Sequence, residues 1–291
     1  MNDLVIDGNV RRAIVVVLDG LRPDAILSEA LPNALRLARN GASTFDGTTV
    51  APSVTAAAMA SLLTGADPKL HGVQCDRFHL PRPAGPLHPL AGELRRRGLT
   101  SSAFMAHVPW LMRPLASRLA DALGFDEARF RGRGAMDVLL AARHTVKQQR
   151  DGLIVLHWPD ADRAGHDHGW MSPQYLRAAH ELDRALGQLM RFVDLTDPST
   201  LLVALADHGG GGRARRHHDS DHRLDRTIPI MFAGGGVRPA SLGNDIRLID
   251  VPATIIAALG LAVPASYAGV PLARRSATVP TRRLAPLQGA A

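Results

Sequence analysis

The residues that could do chemistry in this chain gather in four short segments. Asp19 closes one apolar run, and Asp207-His208 closes another. Between them, Trp158-Pro-Asp-Ala-Asp-Arg-Ala-Gly-His-Asp-His168 carries Asp160, Asp162 and His166. Behind the four glycines at 209–212, the stretch 213–225 holds His217, His218 and His222. Mixed carboxylate and imidazole sets are ligands for zinc or manganese, and two such ions a few ångströms apart need about six side chains. The four segments can supply them. Each also has a plainer use, since Asp-Gly favours a tight turn and a Gly-rich polar stretch makes an ordinary loop. The glycines are not a P-loop, because no Gly-Lys-Ser/Thr follows them.

A fifth segment would give those ligands something to act with. Ala51-Pro-Ser-Val-Thr-Ala-Ala-Ala-Met-Ala-Ser-Leu-Leu-Thr-Gly65 reads as a polar turn running into a short apolar helix. Ser53 or Thr55 would serve there as an N-cap. A hydroxyl at that point also faces unpaired N–H groups and the positive end of the helix dipole, which favours an anion beside it. Paired metals next to such a hydroxyl suggest a covalent route, with Thr55 as nucleophile.

The elements that must position these groups alternate. Apolar runs at 13–18, 152–156, 201–205 and 228–232, with a further strand at 99–105, have the continuous β-branched character of strands covered on both faces. Helical patterns fall at 31–40, 89–97, 135–149, 173–193 and 251–259, several of them stopped by glycine. Strands alternating with helices predict an α/β fold with a mostly parallel central sheet and helices on both faces. In such sheets ligands bind at the carboxyl ends of the strands, so Asp19, Asp162 and Asp207 are expected at one edge. Residues 68–89 read as an irregular, proline-rich flap, and 107–134 give mixed signals. No repeat or linker divides the chain, so a single domain is expected, its core at about 11–272, with 273–291 as a loose tail.

Composition narrows the function classes. The chain has 291 residues, 46% hydrophobic and 21% charged, with a net charge of +7. Of its 34 basic residues only Lys69 and Lys147 are lysines. The arginines are scattered and only 12 aromatics accompany them, which argues against nucleic acid as the main partner. The single cysteine, Cys75, excludes an intrachain disulfide and a cysteine metal cage. Apolar runs are too short to span a bilayer, and the first residues lack the pattern of a signal peptide. A cytoplasmic protein with no membrane partner is expected.

Taken in order, these blocks resemble the alkaline phosphatase superfamily, and within it the type I phosphodiesterase/nucleotide pyrophosphatase branch. Val16-Val-Leu-Asp-Gly-Leu-Arg-Pro-Asp24 resembles the first metal-ligand block, with Asp19 the ligand. Thr55 falls on the nucleophile position ahead of Leu62-Leu-Thr-Gly65 and His71-Gly72, Asp160-Ala-Asp-Arg-Ala-Gly-His166 resembles the Asp-x-x-Gly-His block with Asp162 and His166 at its ends, and Ala206-Asp-His-Gly209 resembles the Asp-His-Gly block. A last histidine is expected shortly before Thr227-Ile-Pro229, where spacing favours His218 over His217 and His222. The resemblance implies two divalent ions, zinc or else manganese. One would be held by Asp162, His166 and His218, and the other by Asp19, Asp207, His208 and the Thr55 oxygen. It implies a small phosphate ester or nucleotide as substrate. Ala58 stands where the resemblance leads one to expect a polar contact to the phosphoryl oxygen, which leaves diester, monoester and phosphonate substrates open. A sulfatase is disfavoured, since Thr55 cannot become formylglycine. Substrate choice is expected to rest on 74–90 and 107–134, with Arg22, Trp110, Trp158 and Arg163 as candidate contacts.

Overall fold

The computed structural model describes residues 4–76 and 81–275. In chain order the elements are β1 (Leu4–Ile6), β2 (Arg12–Leu18), α1 (Pro23–Ser28), α2 (Pro32–Asn40), β3 (Ala42–Thr48), α3 (Thr55–Thr64), α4 (Pro68–His71) and α5 (Leu90–Arg95). They continue with β4 (Ser101–Met105), α6 (Arg113–Ala122), β5 (Glu127–Phe130), α7 (Ala135–Gln148), β6 (Gly152–Trp158), α8 (Asp160–His168) and α9 (Pro173–Phe192). The last are β7 (Thr200–Leu205), α10 (Arg223–Arg226), β8 (Thr227–Gly234), β9 (Ala240–Ser241), α11 (Asp250–Ala258) and β10 (Ala273–Arg275). A single 3₁₀ turn, Trp110–Met112, precedes α6.

An eight-stranded sheet in the order β5-β4-β6-β2-β7-β8-β3-β9 forms the centre. The strands from β5 to β7 are all parallel, β8 is antiparallel to both β7 and β3, and β9 is parallel to β3. Because β8 reverses once on each side, β3 runs with the parallel set. The carboxyl ends of β2, β6, β7 and β3 therefore share one edge. Every residue of β2, β6 and β7 is buried, as their unbroken apolar composition requires of strands covered on both faces. The helices make two groups, one of α1, α2, α7, α8 and α9, the other of α3, α4, α5 and α11. From these groups α7 and α5 both pack on β4 and β6, so the groups cover opposite faces.

The opposite edge of the sheet is sealed. Arg12, at the start of β2, is buried, and its guanidinium donates to the carbonyls of Val146 and Gln149 and to Thr200 Oγ1. The two terminal nitrogens thus donate to main chain and hydroxyl, which offsets much of the cost of burying a guanidinium, while Nε has no hydrogen-bond partner among the described residues.

Several elements depart from the sequence expectation. β3 is one: its Ala-Ser-Thr-Phe-Asp-Gly-Thr is polar and half buried, with an irregular register between Thr44 and Gly47, so it lacks the apolar signature of its neighbours. Residues 107–134 contain α6 and β5 rather than irregular chain, and α6 buries only Ala120. The stretch expected as a tail opens with β10, paired parallel with β1, and 276–291 lie outside the described residues, as do 77–80 of the expected flap. Among the described residues, no helix is long and apolar enough to cross a membrane.

Candidate active site and metal centre

The three central strands deliver their groups side by side. Val17 of β2 is in register with His157 of β6 and with Leu205 of β7, so the residues that follow, Asp19, Trp158 to Asp162 and Asp207-His208, emerge together. The Asp19 N–H donates to the Trp158 carbonyl at 3.0 Å, and the Asp162 N–H donates to the Asp19 carbonyl at 2.9 Å. The Gly20 N–H donates to Asp207 Oδ1 at 3.2 Å. Gly20 has φ +67, and a Cβ there would lie 2.8 Å from Asp162 Cα. The glycine thus meets two demands, a left-handed turn and a close approach.

The acidic, His-rich segment after β6, to which the sequence pattern assigned no element, is the helix α8. Its four-residue spacing puts Asp162 and His166 on one face, Asp162 Oδ1 and His166 Nε2 being 3.4 Å apart. Asp160, the first residue of α8, is used otherwise, accepting the Ala135 N–H at 2.8 Å at the start of α7.

Of the three histidines left open by the sequence, His218 enters the cluster. Its Nε2 is 3.1 Å from His166 Nε2 and 3.6 Å from Asp162 Oδ1, and its ring stacks on His208 at 3.8 Å. His222 accepts the Leu224 N–H and starts α10. His217 lines a cleft of about 290 Å³ with Arg213, Ala214, Asp219, Ser220 and Asp225.

Thr55 is the first residue of α3, and Val54 occupies the N-cap without a side-chain bond. Neither Ser53 nor Thr55 therefore caps the helix. Thr55 Oγ1 instead lies 3.0 Å from His208 Nε2. Ser53 donates to the His218 carbonyl and, at 3.1 Å, to the Ser220 carbonyl, while its own carbonyl takes the His218 ring N–H at 2.7 Å. Sequence reasoning saw Ser53 as a cap; it is the clamp between the start of α3 and the His-rich loop.

The donor set fits divalent cations. His166, His208 and His218 each hold Nδ1 against a main-chain carbonyl, of Arg216, Gly209 and Ser53, at 2.8, 2.7 and 2.7 Å. That turns Nε2 of each ring, the nitrogen that would ligate a cation, towards the cluster. Among the described residues, Asp19 Oδ1, Asp162 Oδ1 and Asp207 Oδ2 are buried without a hydrogen-bond partner. These same oxygens lie 3.3, 3.9 and 3.7 Å from His208 Nε2. Two groups of ligand atoms are close enough to share an ion, Asp162-His208-His218 and Asp19-Asp207-His208. Buried orphan carboxylate oxygens are costly unless a cation meets them.

The electrostatics show the same imbalance. Burial, then the charge of Asp19, pushes Asp162 up to about 8 and Asp207 up to about 6. Burial would also raise Asp19, but His157 and His208 outweigh it and hold that carboxyl well below the usual range. Burial would lower His208, yet Asp207 and Asp19 push it up to about 10. His218 is pulled down to about 3 by burial and by its neighbour His208. Three carboxylates compete for protons where positive charge would relieve them.

Sequence reasoning missed two more groups. His157, the penultimate residue of β6, is buried with Nε2 3.2 Å from Asp19 Oδ2; a polar residue inside an apolar strand was its only signal. Asp76, in the flap, accepts the Ala56 N–H at 2.8 Å beside Thr55. Other expected contacts are corrected. Trp158 is completely buried and cannot touch a substrate. Arg22 is buried, with its guanidinium on Asp24 and on the Gly210 carbonyl at 3.0 Å. Ala58 is also fully buried, so a side chain three residues after Thr55 faces the core rather than a phosphoryl oxygen. Arg163 is exposed, 4.0 Å from Asp160, and Trp110 is exposed beside α6.

The mostly parallel sheet brings a hydroxyl and a carboxylate–imidazole cluster to one edge, the arrangement that the resemblance to the alkaline phosphatase superfamily implies. The sequence model of the type I phosphodiesterase/nucleotide pyrophosphatase family matches residues 13–229. The chain belongs to that family. The fold is similar to murine ectonucleotide pyrophosphatase/phosphodiesterase 5, solved as an inactive variant with AMP (TM-score 0.69, 13% identity, 87% of this chain and 96% of that one). It is also similar to the lipoteichoic acid synthase LtaP of Listeria monocytogenes (TM-score 0.67, 15% identity, 92% of this chain and 76% of that one). By sequence, it is 27% identical over 139 residues to a 2,3-bisphosphoglycerate-independent phosphoglycerate mutase of Serratia proteamaculans, 47% of this chain and 25% of that protein. To the Thermococcus kodakarensis mutase it is 30% identical over 131 residues, 43% of this chain and 29% of that protein. The matched region spans under a third of these curated relatives.

Proposed function

We propose that the chain hydrolyses phosphodiester or nucleotide pyrophosphate bonds through a phospho-threonine intermediate on Thr55, with two divalent ions, zinc or else manganese, in one domain. One ion is assigned to Asp162, His166 and His218, the other to Asp19, Asp207, His208 and Thr55 Oγ1. The observation that carries the reading is Thr55 Oγ1 at 3.0 Å from Nε2 of His208, a residue common to both ligand groups. That the murine fold relative was inactivated by replacing a threonine with alanine supports a threonine nucleophile.

When bound, the ions supply charge that lowers the pKa of the attacking hydroxyl and neutralises the phosphoryl oxygens. The rest belongs to the chain. α3 places Thr55 at its first position, so the positive end of the helix dipole favours an anionic phosphoryl group there. Thr55 loses its proton to solvent and its oxygen forms a bond to phosphorus as the bond to the departing oxygen breaks. That oxygen leaves with the bonding pair and takes up a proton. Water then adds to phosphorus, the Thr55–phosphorus bond breaks, and the hydroxyl is restored with release of phosphate ester. Ser53 keeps the His218 loop fixed to the start of α3 through both steps.

The test is turnover of bis-p-nitrophenyl phosphate by metal-loaded protein. Thr55→Ala is expected to lower kcat/KM by about 10³-fold or more, as loss of a nucleophile does. Undiminished turnover by Thr55→Ala would sink the covalent route.

A further inference from the structure

A phosphoryl group attacked by Thr55 must sit at the start of α3, where the first N–H groups have no partner within the helix. One of them, the Ala56 N–H, is already engaged by Asp76 Oδ1 at 2.8 Å. Asp76 reaches it from a segment that is anchored. His71, fully buried at the end of α4, meets Ser61 Oγ of α3 at 3.0 Å, and its other ring nitrogen takes the Val73 N–H at 3.1 Å. A full negative charge therefore stands one residue from the nucleophile, on the position an incoming anion would use.

We propose that Asp76 determines specificity, setting the site for singly charged phosphodiesters against doubly charged phosphomonoesters. This rests on the reading of Thr55 as nucleophile. A phosphodiester carries one negative charge at neutral pH. A phosphomonoester, with its second ionisation near pH 6, carries nearly two. Both must bring non-bridging oxygens to the N-terminus of α3, and the extra charge of the monoester falls on those oxygens. Like charges a few ångströms apart at a protein surface repel by an amount worth about tenfold to hundredfold in binding. Asp76 is itself exposed, so solvent screening puts the effect at the lower end.

Asp76→Asn separates charge from capping, because the amide oxygen can still accept the Ala56 N–H. In metal-loaded full-length protein, the ratio of kcat/KM for p-nitrophenyl phosphate to that for bis-p-nitrophenyl phosphate is expected to rise about tenfold. Calorimetry in the Thr55→Ala background gives a readout without turnover, where adding Asp76→Asn should tighten inorganic phosphate about tenfold and leave dimethyl phosphate unchanged. A ratio constant within twofold, or equal changes in both ligands, would overturn the assignment and leave Asp76 a helix cap. Loss of turnover in Thr55→Ala alongside that result confines the failure to Asp76. Full turnover in Thr55→Ala overturns the nucleophile and the specificity assignment together.

Discussion

His157 shows how a residue outside the ligand set can govern it. Its Nε2 lies 3.2 Å from Asp19 Oδ2, while Asp19 Oδ1 faces His208 at 3.3 Å. One oxygen of the carboxylate is held so that the other points into the cluster. The aspartate needs such a partner, because burial alone would push it towards the neutral acid, which is a poor ligand. His157→Asn should loosen Asp19 and weaken metal binding by about 10–100-fold, the usual cost of losing an orienting partner. Competition against a graded series of chelators would measure it; an unchanged affinity would mean that Asp19 is oriented by the strand end alone. The same logic separates His218 from its neighbours. Its ring N–H is held by the Ser53 carbonyl, whereas His222 spends its Nδ1 on the Leu224 N–H. Spacing in the sequence pointed to His218, but only the folded loop distinguishes a nitrogen committed to capping from one left free to ligate.

At the scale of elements, what was legible followed from burial. β2, β6 and β7 are apolar because both faces are covered, so the sequence displays them, and with them the positions of Asp19 and Asp207. α8 and β3 were not legible as elements for the opposite reason. Asp-Ala-Asp-Arg-Ala-Gly-His-Asp-His is a weak helix former, since Asp, Gly and His all disfavour helix interiors. It is helical because β6 and Gly20 seat its first turn. β3, polar and near the sheet edge, is the strand that carries the chain to Thr55, yet its half-buried pattern is too short and irregular to read. The Asp19-Gly20 pair could be read either as turn chemistry or as part of a site, and the structure makes it both. Gly20→Ala forces a Cβ to 2.8 Å from Asp162 Cα at φ +67, whereas Gly98→Ala has a similar φ of +70 and open space. Both should lose about 1–2 kcal/mol to left-handed backbone strain. Only Gly20→Ala should also displace Asp162, so that it retains less metal per chain after dialysis than Gly98→Ala. Equal metal content in the two variants would show that α8 can shift without disturbing the site.

Across the whole molecule the two edges of the sheet are built for different ends. At one edge the two terminal guanidinium nitrogens of Arg12 are hydrogen-bonded to carbonyls and a hydroxyl within the fold. At the other, three buried carboxylates and three inward-facing imidazoles meet, with Asp162 and Asp207 pushed up to about 8 and 6 for want of positive charge. Stability of the protein should therefore depend on divalent cations. A ligand that binds only the folded state at 100 times its Kd adds about 2.7 kcal/mol per site. For a chain of this size 1 kcal/mol moves Tm by roughly 2–4 °C, so filling even one site should raise Tm by about 5–10 °C. The experiment is a thermal melt of protein stripped with chelator, then repeated after adding back zinc or manganese. The melt should rise in a concentration-dependent way, and do so in Thr55→Ala as well, since the carboxylate and imidazole ligands remain there. In a variant lacking two of them, Asp19→Asn with Asp162→Asn, the rise should shrink or vanish. A melt indifferent to chelator and metal in the wild type would refute the metal centre, whatever the activity of the preparation.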